Sequence, residues 1–419
     1  MPAPQTKQTI AIFYGGPSPE HDVSVVTALQ IASAIDSARF ETLLVYIAPN
    51  GRWYIGDALT DRKNYLFDVQ AIKALTPVTL DTNRTDGMQR AGRLLTMPSG
   101  LFAKPKTITF DVALPAFHGL YGEDGNIQGL FEFASIPYAG MRTMMAATLM
   151  DKAATKYILA DTDIDALPCA EIKRPNQGTI VAPDIIETAA KEAGISFPCI
   201  LKPTHLGSSI GVAKVNTPAE ASACLPAIFA MDDSAILEPF VENLVEYNVA
   251  VSRFNGDIQL SAIERPKSTD ELLDFKQKYL SGGAGKGGDK MGGQKNPGQI
   301  SQGMLSLTRD LNPDMPADVE AKIKKWAAEL FEKLPCTGAP RIDFIGNSKT
   351  GDIWLNEVNP FPGSIGYFLW EAAPDNPLLF TELLSDLIDE AMAEHKKKRL
   401  PKDPVPKDAR LLKRSLSEG

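Results

Sequence analysis

Arg341 and Asp343 stand two residues apart in RIDFIG, and Glu357 and Asn359 stand two apart in IWLNEVN, with a GNSKTGD turn between the segments. On a strand, residues two apart share a face. A hairpin here would converge one guanidinium, two carboxylates and one amide oxygen, while Ile342 and Phe344 point the other way into a core. Hard oxygen donors of this kind suit Mg2+, which is usually held by one or two carboxylates plus substrate phosphates. A solvent-facing polar hairpin edge is the plainer alternative. The PFPGS segment that follows favours the metal reading, because Pro and Gly hold irregular backbone whose amides can face developing negative charge.

Two lysines suggest a phosphate site. Lys152 follows Met-Asp in a helical stretch, and Lys202 ends a strand before Pro203. Lys202 with Gly207, Ser208, Ser209 and Gly211 would set a cation and backbone amides around a phosphate. The order of a Walker loop is absent, so an ordinary surface hairpin fits the same residues. HGLYGEDGNIQG at 118–129 follows a strand, and its glycines let backbone approach a ligand closely. His118 stands where open α/β sheets bind ligands, or serves as a structural loop histidine. GGPSPEHDVS at 15–24 puts Glu20 and Ser24 at a strand-to-helix turn, where Ser18, Glu20 or Asp22 could equally serve the helix start.

The elements that must position these residues alternate in the manner of an α/β protein. TIAIFYGG, VVTALQIASAID and LLVYIA read as strand, helix and strand, the start of a parallel sheet. GRWYIG and RLLTM predict short strands around an insertion, FDVALPAFHG predicts a strand and NIQGLFEFASI a helix, closing a first unit near Gly140. Residues 144–160 are strongly helical in composition. FPCILKP and GVAKV predict strands flanking THLGSSI, followed by the helix PAEASACLPAIFA and the strand AILEPFV. EYNVAVSRF and DIQLSAIE predict a strand pair, Asp318 to Leu334 an amphipathic helix, and Phe380 to His395 a last helix. The glycine-rich stretch 281–303 reads as a flexible loop, and residues 396–419 as a basic disordered tail.

Composition narrows the function classes. The 419 residues are 44% hydrophobic and 23% charged, which suits a soluble globular chain of two to three domains. The net charge of −9 argues against nucleic acid as a partner. Cys169, Cys199, Cys224 and Cys336 have neither metal-knuckle nor disulfide-scaffold spacing and read as free thiols in a reducing compartment. Neither a signal peptide nor a membrane span is expected, which makes the expected location the cytoplasm.

Taken together, these motifs resemble the D-alanine–D-alanine ligase family of the ATP-grasp superfamily, over about residues 9–395. HGLYGEDGNIQG matches the family's first signature throughout. RIDFI, nine residues, then LNEVNPFPG is close to the second, with Pro340 before the Arg a minor departure. GGPSPEHDVS, MDK, the Lys–Pro before GSSIG and the Lys-Tyr at 278–279 are supporting matches.

The resemblance implies an α/β ATP-grasp fold: a Rossmann-like parallel-sheet domain over 1–140, then two α+β domains, 141–237 and 238–395, gripping ATP. It implies that Lys152 and Lys202 contact ATP phosphates, with Lys278 also in the nucleotide site. Glu238, Phe240 and Val241 would mark the adenine edge and Glu246 the ribose, although the two acids are spaced one residue wider than the family pattern. Asp343, Glu357 and Asn359 would hold two Mg2+ ions, with Mn2+ an alternative. Glu20 would bind the ammonium of a first D-alanine, and His118 would sit beside its carboxylate. Ser208 with Tyr279 would organise a closing loop, and Arg341 with the Gly363 amide would form an oxyanion hole. The implied activity is ATP-dependent, ADP-forming joining of two D-alanines through an acyl phosphate, for peptidoglycan precursors. The implied partners are amino acids and ATP, in a chain whose relatives are commonly homodimers.

Two departures touch the second substrate. Phe368 and Leu369 stand where the family has a Ser–Leu pair, and the loop after Tyr279 is longer than usual. They keep open a related ligase with a different second substrate. A nucleotide-binding protein without catalysis is the remaining alternative.

Overall fold

The computed structural model describes residues 7–65, 73–83, 91–98, 104–254, 256–267 and 309–397, with Pro406 and Ala409. Lys278, Tyr279 and the glycine-rich stretch 281–303 lie outside the described residues.

The chain begins with β1 (Gln8–Gly15), α1 (His21–Ala34) and β2 (Phe40–Ile47), and β1 pairs in parallel with β2 and with β7 (Val112–Pro115). Ile10, Ile12 and Tyr14 face one core, which α1 covers, and Ala11 and Phe13 face another. Burial of both faces explains why this strand reads as an unbroken apolar run. The sheet is not parallel throughout. Beyond β2 it continues through β3 (Trp53–Ile55), β4 (Thr76–Leu80), β5 (Gly92–Thr96) and β6 (Thr107–Phe110), each antiparallel to the last. The segment expected to be an insertion is therefore an antiparallel extension of a seven-stranded sheet. Its strands are too short for their alternation to declare a direction.

α2 (Asn126–Ala134) closes this unit, and α3 (Thr143–Met150) and α4 (Lys152–Leu159) lead away from it. The helical stretch expected over 144–160 is thus divided between two helices. Asp151 adopts an extended backbone between them, and its side chain accepts from the Ala154 N–H at 2.9 Å. A carboxylate cap satisfies an orphan amide and starts a new helix, which helical composition alone does not reveal.

A four-stranded antiparallel sheet follows, made of β8 (Ala170–Lys173), β9 (Cys199–Pro203), β10 (Ala213–Val215) and β11 (Ser234–Pro239). α5 (Pro183–Glu192) and α6 (Pro218–Ile228) cover one face of it and give it a core of its own. The last sheet has five antiparallel strands: β12 (Leu244–Phe254), β13 (Asp257–Pro266), β14 (Arg309–Leu311), β15 (Arg341–Asn347) and β16 (Ile353–Asn359). α7 (Ala317–Lys333) packs on the face that carries Ile342 and Phe344, both fully buried as the alternation requires. α8 (Tyr367–Glu371) packs on β12 and β13 of the last sheet and α9 (Phe380–Lys397) on α1 and β7 of the first unit, so Ala250, Phe254 and Trp370 share a core with Ile10 and Ile12. α9 takes in Lys396 and Lys397, which the sequence assigned to the tail. Among the described residues, no helix is long and apolar enough to cross a membrane.

Gly15 ends β1 at φ +93°, and a Cβ added there would lie 2.2 Å from the Ile47 carbonyl oxygen. Gly15→Ala is expected to destabilise the fold by about 2 kcal/mol or more through backbone strain and that clash. Urea unfolding would measure it, and a loss below about 0.5 kcal/mol would contradict the turn geometry.

Candidate active site

The late hairpin brings its polar residues to one face. Asp343 pairs with Glu357 in register, and Arg341 with Asn359. Arg341 donates from Nε and Nη2 to the two Asp343 oxygens, each at 2.6 Å, and Asn359 Nδ2 donates to Asp343 Oδ2 at 3.0 Å. A forked guanidinium–carboxylate pair fixes direction as well as charge. Asn248, opposite Asp343 on β12, brings its side-chain amide to 3.3 Å from Asp343 Oδ1, where the nitrogen is the end that can donate. Two carboxylates and an amide oxygen are a donor set that fits a hard cation such as Mg2+. Arg341, Asn359 and Asn248 together can occupy the roughly four acceptor positions of the ionised Asp343 carboxylate, so a cation bound there would displace one of these donors.

The lysines converge on the same place. Lys152, the first residue of α4, is buried, donates to the Leu206 carbonyl at 2.7 Å and lies 3.3 Å from Glu357 Oε2. Lys202 near the end of β9 donates to Asn356 Oδ1 at 2.9 Å and pairs with Glu238 Oε2 at 2.7 Å. Lys156, one turn beyond Lys152, takes the other Glu238 oxygen at 2.6 Å. Burial pushes the Glu238 carboxyl up, but the charges of Lys202 and Lys156 outweigh it and hold the group below its ordinary value. Glu238 is therefore an ionised counter-charge between two lysines.

The glycine–serine loop lies beside these cations. Ser208 and Ser209 have φ of +54° and +58°, and the Ser208 hydroxyl donates to Glu20 Oε1. Glu20 also borders Gly119, where an added Cβ would lie 2.5 Å from its Oε2. The two N-terminal motifs and the loop thus meet around one buried carboxylate.

Glu123, from the HGLYGEDG segment, accepts from the Gly119 N–H at 2.7 Å and from the Phe361 N–H at 2.9 Å. It ties the first motif to PFPG. Burial, then the nearby Glu20 charge, pushes its carboxyl up to about 8. His118 is pushed down to about 4, chiefly by burial, and its Nε2 lies 2.8 Å from Thr27 Oγ1. Near neutrality the two are thus an uncharged pair, 4.0 Å apart. Thr27 Oγ1 also accepts from the Ser364 N–H at 3.1 Å, next to Gly363. Ser364, Ile365 and Gly366 form a turn with φ of +52°, +56° and +59°, and the Ser364 hydroxyl donates to Gln30 Oε1.

The structure therefore places these residues in neighbouring groups of polar contacts: Ser208 with Glu20, Lys152 with Glu357, Lys202 with Glu238, Arg341 and Asn359 with Asp343, and His118 with Thr27 and the turn after Gly363. Phe240 and Val241 follow β11 at the edge of this set, where Lys214 Nζ lies 3.6 Å from the Phe240 ring centre. Glu246 lies two residues from Asn248 and shares its face of β12. Sequence reasoning missed Thr27, Glu123, Lys156 and Asn248. A signal existed for two of them: Glu20, Ser24 and Thr27 form a polar stripe at helical spacing, and Lys156 is four residues from Lys152. Leu369 is fully buried in the core, while Phe368 lies under the Arg309 guanidinium at 4.5 Å.

Thr27→Val leaves the Ser364 amide without its partner and is expected to cost about 1–3 kcal/mol. Urea unfolding would check it, and a neutral result would mean that the turn is held by other contacts. Folded Glu123 keeps its proton between pH 4.5 and about 8, where the unfolded chain has lost it. Its stabilising contribution is full below 4.5 and lost as pH rises through about 8. Glu123→Gln should therefore flatten the decline of melting temperature across that window. An unchanged slope would show that Glu123 is ionised in the fold.

Comparison with known proteins gives the family. A model of the D-ala D-ala ligase N-terminus matches residues 9–141, and one of the D-ala D-ala ligase C-terminus matches residues 158–289 and 305–389. The D-alanine–D-alanine ligase of Thermosipho africanus is 30% identical over 394 residues, covering 93% of this chain and 95% of that protein. The D-alanine–D-alanine ligase of Coxiella burnetii superposes with a TM-score of 0.70 at 22% identity, covering 94% of this chain and 96% of the other. A Bacillus anthracis D-alanine–D-alanine ligase solved in complex with ATP gives 0.58 at 19% identity, covering 94% and 100%. The fold is that of the ATP-grasp ligases. With both family models matched across most of its length and a relative 30% identical over nearly all of it, the chain belongs to the D-alanine–D-alanine ligase family.

Proposed function

We propose that this protein joins two D-alanines at the expense of ATP, releasing ADP and phosphate, and so supplies a dipeptide for peptidoglycan precursors. The observation that carries this reading is a single bridge. Lys152 connects Leu206 of the glycine–serine loop to Glu357 of the hairpin, while Ser208 of the same loop reaches Glu20. The sites read here for an ammonium, for phosphates and for a metal would thereby share one wall.

The residues support a division of labour. Glu20 would take the ammonium of the first D-alanine, and neutral His118 could donate to its carboxylate without adding charge. Lys152 and Lys202 would take phosphate oxygens, with Lys202 exchanging Glu238 for the nucleotide. Glu238, Phe240, Val241 and Glu246 would frame the nucleoside. Asp343, Glu357 and Asn359 would hold Mg2+, which when bound screens the phosphates against the incoming carboxylate. Transfer of the γ-phosphoryl group turns a poor electrophile into an acyl phosphate with a good leaving group. The second amino acid's amine then attacks, and Arg341 with the Gly363 amide would steady the oxyanion. Lys278 and Tyr279, outside the described residues, would assist Ser208 in shielding the intermediate from water.

Phe368 and its Arg309 neighbour favour a second reading, in which the acceptor differs from D-alanine. A panel of D- and L-amino acids, scored by phosphate release and product mass, separates the two. D-Alanyl-D-alanine from D-alanine alone is expected, and its absence while another amine is consumed would overturn the first reading. Arg341→Ala and Glu357→Gln should each lower kcat by about 10²–10³ with the fold retained by circular dichroism. Phosphate release at the wild-type rate in both would contradict the proposed roles and favour a binding protein without this chemistry.

A further inference from the structure

His205 faces none of the proposed substrate groups, yet its polar atoms are committed to acids on two different elements. Its backbone N–H donates to Asp232 Oδ2 at 2.8 Å, and its Nδ1 lies 2.8 Å from Asp232 Oδ1. Its Nε2 lies 3.4 Å from Asp151 Oδ2, the acid whose other oxygen caps α4. Asp233 is the remaining charge near the ring, at 3.8 Å and largely exposed. Asp232 follows α6 and leads into β11, the strand of Glu238.

The neighbours of His205 hold the phosphate lysine at both ends. The Thr204 carbonyl accepts from the Lys152 backbone N–H at 3.2 Å, and the Leu206 carbonyl accepts from Lys152 Nζ at 2.7 Å. Gly207 and the left-handed Ser208 and Ser209 follow directly. One imidazole therefore stands where the loop, the start of α4 and the turn before β11 meet.

Hydrogen bonds to Asp151 and Asp232 outweigh burial and raise the ring to about 10, so it is cationic near neutrality. Its ligand atoms and those of Asp232 and Asp233 lie within 4.8 Å of one another, but an imidazolium has no lone pair for a metal.

We propose that His205 is a positioning residue: gripped between Asp151 and Asp232, it fixes the glycine–serine loop and the start of α4 as one unit, so that Lys152 and the loop amides meet the nucleotide's phosphates in register. The proposal rests on the reading of Lys152 and this loop as the phosphate site. His205 itself touches neither Glu20 nor His118, and the loop reaches Glu20 through Ser208, so nucleotide binding should suffer more than amino-acid binding.

The test uses the full chain. Affinity for Mg2+ with a non-hydrolysable ATP analogue is measured by calorimetry without amino acid, alongside KM for ATP and for D-alanine. His205→Gln is expected to weaken analogue binding and raise KM for ATP by roughly tenfold, with KM for D-alanine changed less than about threefold. His205→Arg, which restores charge and a forked donor, should recover most of the loss. Asp151→Asn weakens the same grip while keeping a capping oxygen, and should shift nucleotide affinity in the same direction if His205→Gln does not fold. Unchanged analogue affinity in a folded His205→Gln or Asp151→Asn overturns the latch. So does an equal rise in both KM values, or a folded His205→Arg no better than His205→Gln. The phosphate-site reading fails separately, if Lys152→Ala binds the analogue as tightly as the wild-type protein.

Discussion

Charge taken out of water must be paired, and this constraint shapes the cleft before any ligand arrives. Lys152 stands on Glu357, Lys156 and Lys202 share Glu238, and Arg341 is forked onto Asp343. Removing one partner of a buried pair commonly costs about 3–5 kcal/mol, because the other charge is stranded. Binding of a polyphosphate with its cations can proceed by exchange of partners. On the proposed assignment, phosphate oxygens would replace carboxylates on the lysines, and cations would replace lysines on the carboxylates. The site is built from charges that are already desolvated and already balanced.

The distribution of apolar surface complements this. The first and last sheets are joined by one hydrophobic core, in which Ile10, Ile12 and Tyr14 share a cluster with Ala250, Phe254 and Trp370. The four-stranded sheet keeps its own core of residues such as Cys199, Leu201 and Leu225. Its contacts with the rest include Lys202 with Asn356 and Ser208 with Glu20. Apolar packing resists separation over its whole area, whereas a hydrogen bond can be traded for another of similar worth. The unit that bears the glycine–serine loop is thus attached in part by contacts that can be exchanged.

What the sequence disclosed followed from local rules. A period of two put Arg341 beside Asp343 and turned Ile342 and Phe344 inward, and the turn composition closed the hairpin. Glycines marked the loop around His118, and the family signatures supplied the order of the elements. Contacts joining distant segments escaped, because periodicity holds no record of them. Thr27 reaches Ser364 across 337 positions, and Glu123 reaches Phe361 across 238. The break at Asp151 escaped for a different reason. Helical composition runs through it, and only a cap contact separates two helices from one. The antiparallel strands after β2 escaped because three to five residues carry too little alternation to assign a partner.

The turn at Ser364, Ile365 and Gly366 winds against the hand that L-residues prefer, and Ile365 is β-branched as well. Its shape is consequently imposed from α1, by Thr27, Gln30 and the core that encloses Ile365. One face of a helix near the amino terminus thereby governs the amides closest to Gly363. On the proposed roles, substitutions along that helix would alter the surroundings of Gly363 without touching Asp343, Glu357 or Asn359.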